Sequence, residues 1–211
     1  MRVLELFSGT HSVGKVCKEL GWEVISLDLK GADINTNILE WDYTHYPVGH
    51  FDLIWASPPC DTFSALRRTW IGRKLKCHHG EVCTPELLQH DMDTIGLPIL
   101  RKTEEIIDYF NPTYYFIENP QTGNMKRYLT RPHYDVDYCK YTDWGYQKRT
   151  RIWTNLNGFV PKVCNKDCCN IQDNKHVNFQ KTKMNENESG NRLGKRYRIP
   201  PQLIIELFKC I

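Results

Sequence analysis

The sequence predicts an α/β fold built on a doubly wound, mostly parallel sheet, and three observations predict it. The chain opens on a strand, turn, helix and second strand; two further apolar runs follow at Phe51–Ala56 and Tyr114–Glu118; and an amphipathic helix over Leu97–Phe110 separates them. Strands that alternate with helices of this length are joined by crossovers, which make neighbouring strands parallel. A chain of 211 residues has the length for one sizeable core.

The elements follow in order. Val3–Phe7 is a short apolar run that stops at Ser8-Gly9-Thr10, after which Val13, Val16, Cys17 and Leu20 recur at helical spacing. Gly21 ends that helix, and the residues from Trp22 to Leu27 alternate as a second strand that delivers Asp28. A weak third strand is expected around Ala32–Asn35, and the fourth, Phe51–Ala56, ends at Ser57-Pro58-Pro59-Cys60. From Asp61 to about Gly96 the chain reads as irregular and basic, with Arg67, Arg68, Arg73, Lys74 and Lys76, a long loop or an inserted subdomain outside the core, and loops of that length are usually functional. After Tyr114–Glu118, a hairpin from Tyr138 is expected to lead into a strand over Arg149–Thr154. Pro200-Pro201 opens a last helix, Gln202–Lys209, with prolines where a first turn tolerates them. The expected division is a catalytic and cofactor core over 1–154 with a basic insertion at about 61–96, a variable region over 155–196, and a C-terminal helix over 197–211 that returns to the core.

Composition narrows the class. Lys and Arg number 28 against 25 Asp and Glu, so the net charge of +3 does not by itself demand a polyanionic partner. Met1-Arg2-Val3-Leu4 reads as an immediate strand and not as an export signal, which predicts a soluble, intracellular chain. Nine cysteines, an odd count, fit reduced thiols better than a disulfide framework.

In such a fold ligands bind at the carboxyl ends of the strands, and the chemistry-bearing residues fall there. Gly9 and Gly14 flank the first turn in a spacing looser than the G-x-G-x-x-G of a pyrophosphate-binding loop, which favours a cofactor without phosphates. Asp28 stands where a carboxylate accepts ribose hydroxyls. Cys60 follows two prolines that fix the backbone, and the basic residues after it predict an electropositive setting that raises its thiolate content. Glu118-Asn119-Pro120 ends another strand with a carboxyl group able to hydrogen-bond or protonate a ring nitrogen. In Gln147-Lys148-Arg149-Thr150-Arg151 the two arginines alternate, so both point to one face, which a phosphate or a base oxygen explains better than solvent does.

Phe7-Ser8-Gly9, Ser57-Pro58-Pro59-Cys60-Asp61-Thr62-Phe63-Ser64, Glu118-Asn119-Pro120 and Gln147-Lys148-Arg149-Thr150-Arg151 occur in the order of the DNA (cytosine-5) methyltransferase family, which the chain resembles over most of its length. Ile199-Pro200-Pro201-Gln202-Leu203 is similar to that family's last motif. The resemblance implies a Rossmann-like sheet, S-adenosylmethionine as cofactor, DNA as partner with RNA as the rival, and a flipped cytosine attacked by Cys60. It implies Glu118 at ring nitrogen 3, and Arg151 at the base oxygen with Arg149 in support. Phe7, Ser8, Gly9, Thr10 and Ser12 would line the cofactor's methionine end, Asp28 with Leu29 its ribose and adenine, and Gly14 and Pro58 would also belong to the cofactor site. Asn37-Ile38 would take the adenine edge, with Asp33-Ile34 as the competing alignment. Ser64, Arg67, Arg68, Asn119, Pro120 and Gln147 would face the substrate.

The chain departs from the family in size, because only about Asn155–Arg196 is left for a target-recognition region; short or relaxed sequence specificity is expected. Cys164, Cys168, Cys169 and His176 have spacings that a zinc site uses, as have Cys77, His78, His79 and Cys83.

Overall fold

The computed structural model describes residues 1–177 and 197–211. Seven strands form one open sheet: β1 (Arg2–Leu6), β2 (Glu23–Asp28), β3 (Ile34–Asn35), β4 (Leu53–Ala56), β5 (Tyr114–Pro120), β6 (His133–Asp137) and β7 (Arg149–Thr154), in the order β3-β2-β1-β4-β5-β7-β6. β1 pairs in parallel with β2 and β4, and β4 with β5, whereas β7 runs antiparallel to both β5 and β6. This is the doubly wound, mostly parallel, Rossmann-like sheet that the alternation of elements predicts. The strand order reverses at β1 and β4, so the ligand crevice of such a sheet opens at their carboxyl ends.

Helix α1 (Ser12–Glu19) and helix α4 (Pro201–Phe208) cover one face. Val13, Val16 and Cys17 of α1 and Leu203, Ile204 and Leu207 of α4 pack there with Trp55, Phe116 and Ile152. Helix α3 (Leu97–Phe110) covers the other, where Leu100, Ile106, Ile107 and Phe110 meet Leu4, Ile54 and Ile117. Both faces of β4 are therefore buried, and its four residues are apolar throughout.

Two expectations are corrected. The strand that pairs with Arg149–Thr154 is His133–Asp137, ahead of Tyr138, and Tyr138–Lys140 is a 3-10 turn. The reason is charge: β6 places Asp135 opposite Arg151 and Asp137 opposite Arg149, so an alternation of acids does what apolar alternation does elsewhere. The 61–96 insertion also holds more regular structure than expected. Helix α2 (Pro85–Asp91), capped by Thr84 Oγ1 accepting from the Leu87 amide at 3.1 Å, runs through a π-helical turn over Met92–Gly96 into α3. A small antiparallel hairpin, β8 (Ile171–Gln172) with β9 (Lys175–His176), follows the sheet. The expected 155–196 region is described only as far as residue 177, and Gly190–Arg196 lies outside the described residues.

Candidate active site

β1 delivers Phe7 and Ser8 to the crevice, and Phe7 turns the chain through a left-handed conformation, φ 59°. The Gly9 amide donates to Asp28 Oδ2 at 2.9 Å and the Leu29 amide to Oδ1 at 2.7 Å, so the tip of β2 holds the first turn in place. Ser8 is 5% exposed and its hydroxyl has no hydrogen-bond partner among the described residues. Leaving such a group unpaired costs on the order of 1–3 kcal/mol, so a polar ligand end is suited to it. Leu29, by contrast, is 71% exposed beside it, an apolar surface at the rim. Thr10 and Ser12 share a hydrogen bond of 2.8 Å, and Ser12 Oγ accepts from the Ile199 amide at 3.0 Å. The return of the C-terminal segment to this loop is thus a direct contact.

Gly14 serves packing here. A Cβ on it would lie 2.6 Å from Glu5 Oε2, and the Glu5 carboxylate accepts the Val13 and Gly14 amides at 3.1 Å each, closing the start of α1. Burial, against those two hydrogen bonds, pushes the Glu5 carboxyl up to about 7. At the expected adenine edge Ile38 is buried in the core, and Asn37 Oδ1 accepts from the Leu39 amide at 3.1 Å. In the competing pair Asp33 Oδ2 is taken by the Ser26 amide and hydroxyl, at 2.9 and 2.6 Å.

Cys60 lies beyond the end of β4, and the chain around it is fixed from three sides. Asn119 Nδ2 donates to the Pro58 carbonyl at 2.8 Å, the Asn124 amide to the Phe63 carbonyl at 2.7 Å, and Phe63 itself is core. Gly96 makes the third contact: a Cβ there would sit 2.2 Å from Thr62 Oγ1 and 3.1 Å from the Phe63 ring. Glu118 accepts from the Tyr138 hydroxyl at 2.9 Å and has the Lys148 ammonium at 3.7 Å, both at Oε1. That ammonium also lies 4.6 Å from the centre of the Tyr138 ring. Burial first, and then the Glu118 carboxylate, push the Cys60 thiol up, while Lys148 pulls it down. The expected rise in thiolate content is therefore corrected. Arg67, one of the basic residues behind it, is buried in an ion pair with Asp91, which His78 joins at 2.9 Å; its charge is neutralised inside the insertion, whereas Arg68 is exposed.

Arg149 and Arg151 do point to one face, but each has a protein partner. Arg149 Nε and Nη2 donate to the two oxygens of Asp137 at 2.9 and 2.8 Å, and Arg151 Nε and Nη2 to those of Asp135 at 2.7 and 2.8 Å. Gln147 Nε2 donates to the same Asp137 at 3.0 Å. Internal ion pairs thus account for two arginines on a half-buried strand.

The expected metal ligands come together with one exchange. Cys164, Cys168 and His176 meet Cys139, not Cys169, which is exposed. Cys139 is brought in by the turn after β6, where the Cys164 amide donates to Asp137 Oδ2 at 2.8 Å. The 77–83 group does not assemble: Cys83 is buried, Cys77 is exposed and His78 is on Asp91.

Along the whole sequence, the chain is 46% identical over 218 residues to the Frog virus 3 (isolate Goorha) protein named Probable DNA (cytosine-5)-methyltransferase, covering 98% of each. The chain belongs to the DNA (cytosine-5)-methyltransferase family. No protein-family model matches it. Two solved structures are similar: a methyltransferase of Entamoeba histolytica, at 13% identity and a TM-score of 0.48 over 78% of this chain, and the Dnmt2 methyltransferase of S. pombe, at 13% and 0.43 over 84%. The chain spans 55% and 57% of their lengths.

For this member of the DNA (cytosine-5)-methyltransferase family, Phe7-Ser8-Gly9, Cys60, Glu118 and the start of β7 lie on one rim of the sheet. Sequence reasoning missed Tyr138 and Lys148 as parts of this site. Lys148 stands inside the Gln147–Arg151 motif, and its left-handed backbone, φ 34°, is the local feature that sets it apart from the arginines after it. Tyr138 carried no signal short of knowing that β6 ends at Asp137.

Proposed function

We propose that this chain methylates carbon 5 of cytosine in DNA through a transient bond between Cys60 Sγ and carbon 6 of the base. The observation that carries this reading is the placement of Cys60 and Glu118 at the carboxyl ends of the adjacent parallel strands β4 and β5, where Asn119, next to Glu118, donates at 2.8 Å to the Pro58 carbonyl of the loop that holds Cys60. A nucleophile and an acidic group at neighbouring strand ends are what addition to a pyrimidine requires. The 46% identity to a protein named for DNA cytosine methylation supports the same polymer and atom.

The bond from Cys60 to carbon 6 sends electron density toward carbon 5, which is otherwise too weak a nucleophile. Glu118, oriented by Tyr138 and Lys148, shares a proton with ring nitrogen 3 and so meets the charge that develops there. Loss of the carbon 5 proton and release of Cys60 then restore aromaticity. When bound, S-adenosylmethionine supplies the electrophilic methyl group, and the orphaned Ser8 hydroxyl, the Gly9 turn and the exposed Leu29 fit such a ligand. Arg149 and Arg151 are positioning residues, since Asp137 and Asp135 each take two of their nitrogens. The base must leave its stack for Cys60 to reach it, and we assign its contacts to Ser64 and Arg68 of the loop after Cys60 and to Asn119 and Pro120 at the end of β5. The variable region over 155–196 is too short to read many bases, which favours a short target.

The experiment is transfer of tritiated methyl groups to a panel of DNA and RNA polymers. We expect label at carbon 5 of cytosine in DNA and none with Cys60→Ala. Label confined to RNA would move the chain to RNA methylation, label surviving Cys60→Ala would remove the nucleophile, and no label on any polymer would leave a binding module.

A further inference from the structure

Away from the crevice, the sulfurs of Cys139, Cys164 and Cys168 and a ring nitrogen of His176 all lie within 4.8 Å of one another. His176 Nε2 is 3.4 Å from Cys164 Sγ and 3.5 Å from Cys168 Sγ. A tetrahedron with metal–sulfur bonds of about 2.3 Å and a metal–nitrogen bond of about 2.0–2.1 Å has sulfur–nitrogen edges of roughly 3.5 Å and sulfur–sulfur edges of roughly 3.8 Å. The four atoms thus have the spacing of a cage around one ion. All nine cysteines are free thiols, so no disulfide gathers them.

We propose that Cys139, Cys164, Cys168 and His176 bind a zinc ion. Three thiolates and an imidazole suit a borderline-soft, tetrahedral cation, and four protein ligands leave no position for a substrate, which makes the centre structural. The surrounding chain is built to present them. Asp173 and Asn174, both left-handed at φ 49° and 59°, make the two-residue reversal that brings His176 back across from Ile171. Asn170 is 4% exposed; its Nδ2 donates to the Cys139 and Thr142 carbonyls at 3.1 and 2.8 Å, and its Oδ1 accepts from the Gly145 amide at 2.8 Å.

The ion would fasten the 139–145 connection to the 164–176 segment. Asp137 links that assembly to the active site: one of its oxygens receives the Cys164 amide, and the same carboxylate holds Gln147 and Arg149 on either side of Lys148. A segment too short to build a core of its own acquires a fixed shape from the metal. The centre and the methylation reading stand or fall separately, because metal content is measured without a methyl acceptor.

The test is metal analysis of the full chain purified without a histidine tag. One zinc per chain is expected, and cobalt in its place should give the visible and sulfur-to-metal charge-transfer absorption of a tetrahedral thiolate site. Cys139→Ser and His176→Ala should lose that absorption and the zinc, whereas Cys169→Ser and Cys77→Ser should keep both. Substoichiometric zinc in the wild-type chain with no thiolate absorption on cobalt titration would overturn the proposal. So would retention in Cys139→Ser together with loss in Cys169→Ser. If the ligand variants do not fold, the wild-type stoichiometry and the Cys169→Ser result decide.

Discussion

The Tyr138 hydroxyl donates to Glu118 Oε1 at 2.9 Å across a buried space, and it is the turn after β6, 20 residues further along the chain, that supplies it. Burial first, and then the Glu118 carboxylate, keep the phenol protonated well above its ordinary range, so it remains a donor at any working pH. Tyr138→Phe removes this hydrogen bond together with the hydroxyl's interaction with Thr150. We expect kcat to fall roughly tenfold, about 1.4 kcal/mol of barrier, with the KM for the methyl donor unchanged. Steady-state kinetics in each substrate separate the two.

The Cys60 thiol sits above its ordinary range through burial and then Glu118, with Lys148 opposing. Alkylation of Cys60 by iodoacetamide should therefore rise with pH later than for an exposed thiol. Glu118→Gln should move that curve to lower pH and Lys148→Met to higher pH. A curve that Glu118→Gln leaves in place would show that the two groups do not share a site.

Gly96 gives up its side chain so that Thr62 and Phe63 can lie against the helix. A methyl group there must displace the Thr62 hydroxyl, and overpacking of this kind costs about 1–3 kcal/mol. We expect Gly96→Ala to lower kcat well beyond what its modest loss of thermal stability explains, because the displaced residues follow Cys60 directly. Unchanged kcat in a folded variant would uncouple this helix from the catalytic loop.

Glu5 has a carboxyl raised from 4.5 to about 7 by burial. A folded value above the unfolded one means that its stabilising contribution is complete below about 4.5 and is lost as pH rises through about 7. A shift of this size corresponds to about 3 kcal/mol. Urea unfolding between pH 4 and 8 should show that decline, and Glu5→Gln should flatten it. An equal slope in the variant would place the pH dependence elsewhere.

The sheet was legible because its strands are buried on both faces and read as apolar runs, and the rim was legible because a doubly wound sheet puts every strand end on one edge. Cys60 and Glu118 could be found on that basis. β6 could not, since His133-Tyr134-Asp135-Val136-Asp137 has no apolar alternation and makes sense only against Arg149 and Arg151. The same blindness hid the partners of those arginines and of Arg67, because a charge looks solvent-facing until the acid beside it is known. Cys139 escaped for a related reason: ligand spacing is read locally, and it lies 25 residues ahead of Cys164 in the chain.

Ile199 meets Ser12 across 187 positions, which bears on how such a protein is made. A ribosome releases the first loop 187 residues before the residue that closes it, so the loop stays open through that whole stretch of synthesis. Loop closure over such a span is slow compared with local helix formation. Termination between Glu118 and Ile199 should yield a chain that carries both Cys60 and Glu118 yet lacks the contact that closes the first loop.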